Sequence, residues 1–236
     1  MSVRVWMSLL SFICGAVLIG RPSFARSTEV LQKIAVFDAP QGMTHSQQVL
    51  QLIKKYSKGC QKIQIDLFPI YDRQGHFLQK EFLEKLKTLD SSYTLIHLSW
   101  NLKMTPELQP LLTEMNRLSS RGVVIVAASG EPQQSDQIAF PIEETIMGQV
   151  QDAVLVGELD GKNKLPRSAN YGSRIVAAFH PSSSLRGSSF TAPMASGKIA
   201  AAECHGISKK WANYFLQVKT RSLQSWPSLE EYFHNF

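Results

Sequence analysis

The sequence of 236 residues lacks most of the features that assign a chain quickly to a class. It has no internal repeats and no low-complexity segments, which excludes repeat architectures. No cluster of acidic residues suggests a calcium site, and no cofactor or metal is expected. The formal net charge of +6 is not concentrated in a stripe, because the lysine pairs at 54–55 and 209–210 indicate solvated helix faces. A nucleic-acid partner is therefore not expected.

Long hydrophobic runs are also lacking, apart from one near the start of the chain. Residues 6–20 are apolar, which is short for a membrane span. Arg4 precedes this run, and residues 23–25, SFA, form a small-x-small cleavage site. Residues 1–25 are therefore predicted to be a signal peptide cleaved after Ala25. The mature protein is expected in the periplasm or outside the cell, without stable membrane insertion.

The sequence does contain a regular alternation of apolar strands and amphipathic helices. Several strand segments are continuous apolar runs, as expected for buried parallel strands. The alternation predicts an α/β fold, with a mostly parallel β-sheet and helices on both faces. Residues 26–236 are expected to form one domain, with 220–236 as a short C-terminal appendage. Strands are predicted at 33–37, 62–67, 94–98, 123–127, 153–156 and 174–178, and helices at 45–57, 80–88, 106–119, 143–149, 190–203 and 208–218.

One segment carries a chemical signal. Residues 187–193 have the sequence GSSFTAP and lead into an alanine-rich helix. A serine in the first turn of a helix lies beside backbone N–H groups without partners, where an oxyanion is stabilised. An ordinary capped core helix is the alternative interpretation. The segment resembles the serine motif Gly-Thr-Ser-x-Ala-x-Pro of the subtilisin-like serine proteases, which implies that Ser189 is the nucleophile.

Two further segments resemble the other catalytic motifs of that family. Residues 34–38, IAVFD, resemble the strand whose aspartate orients the catalytic histidine, and Asp38 takes that position. Residues 45–53, HSQQVLQLI, resemble the histidine helix, which makes His45 the general base. Taken alone, each segment is also compatible with a strand-ending aspartate or a helix-capping histidine. The loop between Asp38 and His45 is shorter than is typical of the family.

The segments at 95–101, 122–131 and 169–178 resemble further strands and turns of the same family. The resemblance implies a three-layer subtilisin-like fold and a peptide or protein substrate. Asn101 stands where glycine is usual, which narrows the first specificity pocket. His97 lies inside an apolar strand and is interpreted as a hydrogen-bonded core residue. The substrate-binding positions implied by the resemblance are Ser99, Trp100, Asn101, Ala128 and Gly130.

Glu131 is the main departure from the family pattern. The resemblance places an asparagine there, whose side chain donates a hydrogen bond to the oxyanion, whereas an ionised carboxylate repels it. Either Glu131 is protonated and donates, or it swings away and leaves Ser129 or a water as the donor. The sequence thus predicts an exported serine endopeptidase of low activity. A peptide-binding pseudoprotease is the alternative.

The two cysteines that follow the predicted signal peptide lie at the far ends of the two motif helices. Cys60 lies fifteen residues after His45, which begins one helix, and Cys204 lies fifteen residues after Ser189, which precedes the other. If both helices start at the active site and run side by side, their far ends meet. A disulfide between Cys60 and Cys204 is therefore predicted, as an oxidising compartment permits. Two buried free thiols are the alternative.

Overall fold

The structure is a computed structural model that describes residues 31–131, 139–162, 164–166, 168–180 and 185–207. The predicted signal peptide, the predicted helix at 208–218 and the appendage at 220–236 lie outside these residues. Within the described ranges, no helix combines the length and the apolar character that crossing a membrane requires.

Six parallel strands form one sheet with the order β2-β1-β3-β4-β5-β6. The direction of strand addition reverses at β1, which lies between β2 and β3. Open parallel sheets place their ligands in the crevice at such a reversal, beyond the carboxyl ends of the strands. The strands are β1 Gln32–Asp38, β2 Ile63–Pro69, β3 Tyr93–Leu98, β4 Val124–Ala128, β5 Val154–Glu158 and β6 Ile175–Phe179.

Helices cover both faces of this sheet. One face carries α1 (Thr44–Tyr56) and α5 (Ser188–Cys204), and the other carries α2 (Gln79–Thr88), α3 (Gln109–Ser120) and α4 (Ile146–Gln149). Alternate residues of β1 contribute to the two hydrophobic cores, because successive side chains of a strand point to opposite faces. The predicted α/β fold with a parallel sheet between two helical layers is confirmed.

The predicted strands and helices in the described ranges are confirmed in type, with slightly shifted ends, except at two helices. The segment predicted as one helix at 106–119 begins with a 3₁₀ turn at Pro106–Leu108 before α3 starts. The segment at 143–149 is a 3₁₀ turn, Ile142–Glu144, followed by the short α4. Thr145 separates the two because its backbone is extended and its hydroxyl accepts a hydrogen bond from the Gly148 N–H, which caps α4.

Helices α1 and α5 lie in close contact along one face of the sheet. Gly197 permits this approach, because a Cβ there would lie 2.6 Å from the carbonyl oxygen of Ile53 and 2.9 Å from the Cβ of Tyr56. Beyond the far ends of the helices, Cys60 and Cys204 form a disulfide, with their Cα atoms 5.8 Å apart. The structure thus has the disulfide that the sequence predicts rather than two free thiols.

Candidate active site

The carboxyl end of β1 and the start of α1 bring an aspartate and a histidine together. Asp38, the last residue of β1, has a buried side chain, whereas the side chain of His45 is 35% exposed. Oδ1 of Asp38 lies 2.7 Å from Nδ1 of His45. Because a carboxylate only accepts hydrogen bonds, Nδ1 carries the proton and Nε2 is left as the basic nitrogen. The short loop between the two residues is therefore long enough to pair them.

The surroundings of Asp38 keep it ionised. Burial acts to raise the pKa of its carboxyl group, but the hydrogen bond and charge of His45, the N–H of Ala39 and the hydroxyl of Ser99 together hold that pKa below its usual value. The Ala39 N–H donates to Oδ1 at 2.6 Å. A buried carboxylate with a lowered pKa is suited to hold an imidazole in one tautomer and to stabilise an imidazolium.

Ser189 lies in the first turn of α5, close to the start of α1. The rings of His45 and Phe190 are in contact, with centroids 4.9 Å apart. Gly187 precedes the helix with a φ of 105°, and a Cβ at this position would lie 3.5 Å from Oγ of Ser189 and would collide with Oε1 of Glu131. Among the described residues, no hydrogen bond joins the side chains of His45 and Ser189. Such bonds often form only with substrate bound.

An open cavity of about 470 Å³ lies at the carboxyl ends of β1, β3 and β4 and at the start of α5. It is the crevice expected where the strand order reverses. The cavity brings together nine of the residues singled out from the sequence: Asp38, His45, Ser99, Trp100, Asn101, Ala128, Gly130, Glu131 and Ser189.

Glu131 follows β4 and reaches across to the N-terminus of α5. Its Oε2 accepts hydrogen bonds from the Ser188 N–H at 3.1 Å and from the Ser188 hydroxyl at 2.7 Å. A second carboxylate, that of Glu158, accepts from the Gly187 N–H at 2.7 Å. Two acids therefore occupy successive backbone donors where the helix dipole is positive. The Glu131 carboxylate remains at the site and has not turned away.

No protein-family model and no curated protein matches the chain. Several solved structures, however, have a similar fold. A lanthipeptide protease superposes with a TM-score of 0.64 at 12% identity, covering 80% of this chain and 79% of that one. A cold-adapted subtilisin-like serine proteinase gives 0.58 at 12%, covering 80% and 82%. The prenylagaramide maturation protease PagA gives 0.59 at 14%, covering 84% and 85%.

This chain has the subtilisin-like serine protease fold. At these identities the similarity concerns the fold, which is the one that the sequence motifs predict. Asp38, at the end of a central strand, and Ser189, at the start of α5, occupy positions in this fold that face the same cavity.

Ser129 is the one residue predicted for catalysis or substrate binding that does not line the cavity. It is completely buried, and its Oγ has no hydrogen-bond partner within the described part of the chain. Its neighbours Ala128 and Gly130 both line the cavity. In this conformation the buried Ser129 hydroxyl does not reach the cavity, so it is not placed to replace Glu131 as oxyanion donor.

Asn101 closes the space that glycine would leave open between the ends of β3 and β4. Its Nδ2 donates to the Ser129 carbonyl at 3.0 Å and to the Thr145 hydroxyl at 2.9 Å, and its Oδ1 accepts from the Met147 N–H at 3.2 Å. A Cβ on Gly130 would lie 3.1 Å from the Cβ of Asn101. The Asn101 side chain is thus fixed by three hydrogen bonds, and the narrowing of the first specificity pocket stays a prediction.

Outside the serine motif, three cavity residues, Ala39, Tyr71 and Leu102, and one supporting acid, Glu158, were missed by the sequence reasoning. Tyr71 lies beyond the end of β2 and lines the cavity, where burial and the charge of Asp38 raise the pKa of its hydroxyl to about 12. Leu102 lines the cavity next to Asn101. Glu158 ends β5. Because Tyr71 and Glu158 both lie at carboxyl ends of strands, the rule for parallel sheets could have found them.

The described residues contain no group of three or more histidine, cysteine, aspartate or glutamate side chains arranged to hold a metal ion. The polar groups that line the cavity are side chains and the backbone N–H groups at the start of α5.

Proposed function

We propose that the protein is a serine endopeptidase that hydrolyses peptide bonds through Asp38, His45 and Ser189. One observation carries the proposal: the buried carboxylate of Asp38 binds Nδ1 of His45 at 2.7 Å, in the cavity that Ser189 also lines. An aspartate that fixes the tautomer of a histidine beside a helix-terminal serine is the arrangement that activates a hydroxyl nucleophile.

In the proposed reaction, Ser189 Oγ attacks the carbonyl carbon of the scissile peptide while Nε2 of His45 takes its proton. The tetrahedral oxyanion is stabilised by the backbone N–H of Ser189 at the N-terminus of α5. His45 then returns the proton to the departing amine, which leaves an acyl-enzyme ester on Ser189. A water, deprotonated by His45, attacks this ester, and His45 then returns that proton to Ser189 Oγ as the C–O bond breaks and the carboxylic acid product leaves. Asp38 stays ionised and stabilises the imidazolium in both halves.

The proposed activity is low because Glu131 lies beside the developing oxyanion. Its carboxylate is held by the N–H and the hydroxyl of Ser188, so a negative charge is anchored next to the site where a second one forms. This opposes the transition state, whereas a donor at the same position would stabilise it by ~2.7–4 kcal/mol.

The test is labelling of the purified protein by a fluorophosphonate probe, together with cleavage of casein, between pH 5 and 9. We expect slow labelling and slow cleavage, both abolished by Ser189→Ala. Ser120→Ala serves as the matched control, because the exposed Ser120 hydroxyl on α3 donates to the Arg117 carbonyl and lies outside the cavity. Absence of labelling in both the wild type and Glu131→Asn would contradict the proposal.

The position of Glu131 also supports a second candidate, a pseudoprotease that binds peptides without cutting them. On this alternative, Ser189→Ala and the wild type bind peptides from a random library with equal affinity in a fluorescence-anisotropy assay, and neither shortens them. Cleavage of any bound peptide by the wild type alone decides for the enzyme.

We also propose that residues 1–25 direct export to the periplasm or the medium and are removed after Ala25. The disulfide between Cys60 and Cys204 supports an oxidising compartment. Peptides and proteins would then be the partners, without stable membrane insertion of the mature chain. Intact-mass measurement of the exported protein is expected to give a chain that begins at Arg26, and a cytosolic full-length chain would contradict this.

A further inference from the structure

A line of buried polar side chains runs from the candidate active site into the core between β3 and α5. His97, in the middle of β3, is completely buried. Its Nδ1 lies 2.8 Å from Oγ of Ser196 on α5, and its Nε2 lies 2.7 Å from Oγ of Ser99. Ser99 lines the cavity together with Asp38. The line therefore connects the sheet core to the residue that holds His45.

His97 is neutral at ordinary pH. Complete burial lowers the pKa of its ring to about 4, and the nearby charge of Asp38 only partly offsets that effect. A neutral imidazole has one N–H donor and one acceptor nitrogen. Each serine hydroxyl has a single proton, so the line can be ordered in two ways: with every donor pointing toward Asp38, or with every donor pointing away from it.

The hydrogen bonds of the two carboxylate oxygens of Asp38 indicate which of these two donor directions is favoured. Oδ1 already accepts from the Ala39 N–H at 2.6 Å and is 2.7 Å from Nδ1 of His45. Oδ2 is buried and makes no hydrogen bond within the described residues. The neighbouring hydroxyl of Ser99 helps to lower the Asp38 pKa, although it makes no hydrogen bond of normal geometry to Oδ2. Since a carboxylate accepts only, the proton of Ser99 is favoured on the side of Oδ2.

That choice fixes the rest of the line. With its proton directed to Asp38, Ser99 Oγ accepts from His97, which must then carry its proton on Nε2. Nδ1 is left as an acceptor and takes the proton of Ser196. Aligned hydrogen bonds of this kind polarise one another in a low-dielectric interior.

We propose that His97 is a positioning residue for Asp38: held between Ser196 and Ser99 as its Nε2–H tautomer, it turns the Ser99 hydroxyl toward Oδ2 and so orients the carboxylate that holds His45. The role in catalysis rests on the proposed function, but the proton order itself does not. His97 would touch neither substrate nor nucleophile in this role, because it is completely buried and does not line the cavity.

The test is the tautomer of His97, read from ¹⁵N shifts in long-range ¹H–¹⁵N spectra of histidine-labelled protein between pH 6 and 8. The chain has 6 histidines, so the signals of His97 are assigned by replacing the others one at a time. We expect a pure Nε2–H tautomer in the wild type. An Nδ1–H tautomer would overturn the proposal, because Ser99 would then donate to His97 and not to Asp38.

Asp38→Asn supplies the second measurement. The two N–H donors at Oδ1 hold the amide oxygen there, which places the NH₂ group toward Ser99. Ser99 must then accept from residue 38 and donate to Nε2, so His97 is expected to change to the Nδ1–H tautomer. An unchanged tautomer in this variant would show that Asp38 does not order the line.

Ser99→Ala is the matched control, because it breaks the line and leaves both ends in place. In this background, the proteins with and without the Asp38→Asn substitution are expected to give the same His97 tautomer. A difference between them would mean that the coupling bypasses Ser99. None of these spectra requires turnover. A protein that never cleaves a peptide can still confirm the proton order, and an active enzyme can still refute it.

Discussion

The two sides of the candidate active site are built very differently. On the base side, the buried Asp38 and the partly exposed His45 form a short hydrogen bond, and the Ala39 N–H also donates to Asp38. On the proposed oxyanion side, the position where a donor would be needed holds Glu131, whose carboxylate is bound by Ser188. On our proposal, the first side can activate a hydroxyl group, and the second opposes the charge that the activated hydroxyl would create.

On this proposal, general-base activation and oxyanion stabilisation are separable properties of one cavity. They come from different segments of chain: β1 and α1 supply the base side, whereas the loop after β4 meets the first turn of α5 on the oxyanion side. Each removes its own share of the activation free energy. A fold can therefore retain the first while changing the second, and the changes below probe each side alone.

The largest effect is expected on the base side, from Asp38→Asn. Without the negative charge of the carboxylate, the imidazolium that forms when His45 takes the serine proton is no longer stabilised, so the rate of fluorophosphonate labelling should fall about 10⁴-fold. The matched control is Asp72→Asn, since Asp72 makes a similar bond of 2.8 Å to the exposed His76. The control should label like the wild type. A loss of less than tenfold in Asp38→Asn would mean that the base side is not used.

The next effect concerns how the two sides are held together. The disulfide joins the far ends of the helices that carry His45 and Ser189, across a sequence separation of 144 residues. Replacing both cysteines by serine should lower the free energy of unfolding by ~3–5 kcal/mol. Urea denaturation measures this, and reduction of the wild type should give the same shift. A change below ~1 kcal/mol would indicate that helix packing alone aligns the two sides.

The fold was predictable from the sequence for a physical reason, whereas Asp38 and His45 were singled out by their resemblance to family motifs. Strand and helix periodicity is local, and a parallel sheet brings the carboxyl ends of its strands to one edge. Asp38 at the end of a strand and His45 at the start of a helix were therefore expected at the same edge of the sheet. The disulfide followed in the same way, because similar lengths of helix from a shared starting edge bring Cys60 and Cys204 together.

The oxyanion side was not predictable to the same degree, because it depends on where single side chains turn. Ser129 was expected as a possible donor, yet it points into the core between two residues that line the cavity. The bond from Glu131 to Ser188 spans 57 residues of sequence. No local pattern encodes such a contact, which depends on the relative placement of β4 and α5 and on the absence of a Cβ at Gly187.

On the oxyanion side, Glu131→Asn is expected to raise the labelling rate. The substitution removes the opposing charge and restores an amide donor, and the loss of a single oxyanion donor is known to cost ~100–1000-fold in rate. Glu144→Asn is the matched control, because Glu144 is an exposed carboxylate that faces Lys103 at 3.7 Å outside the cavity. If Glu131→Asn leaves the labelling rate unchanged, the Glu131 carboxylate does not limit the reaction, and the structural difference between the two sides has no effect on the rate.

The smallest effect is expected at His97, which lies behind the base side. The titration of its ring should make the free energy of unfolding depend on pH. In the unfolded chain this ring binds a proton below pH 6.5, whereas burial lowers its pKa to about 4 in the folded protein. Between these values the unfolded state holds more protons, so stability falls as the pH drops from 6.5 toward 4, by about 3 kcal/mol for this group. His97→Asn removes the titrating ring and should therefore lose about 3 kcal/mol less over that range. Urea denaturation of both proteins at pH 4, 5, 6 and 7 makes the comparison. Parallel stability curves would mean that the ring is protonated in the fold, and the line of hydrogen bonds behind Asp38 could not then be ordered as we propose.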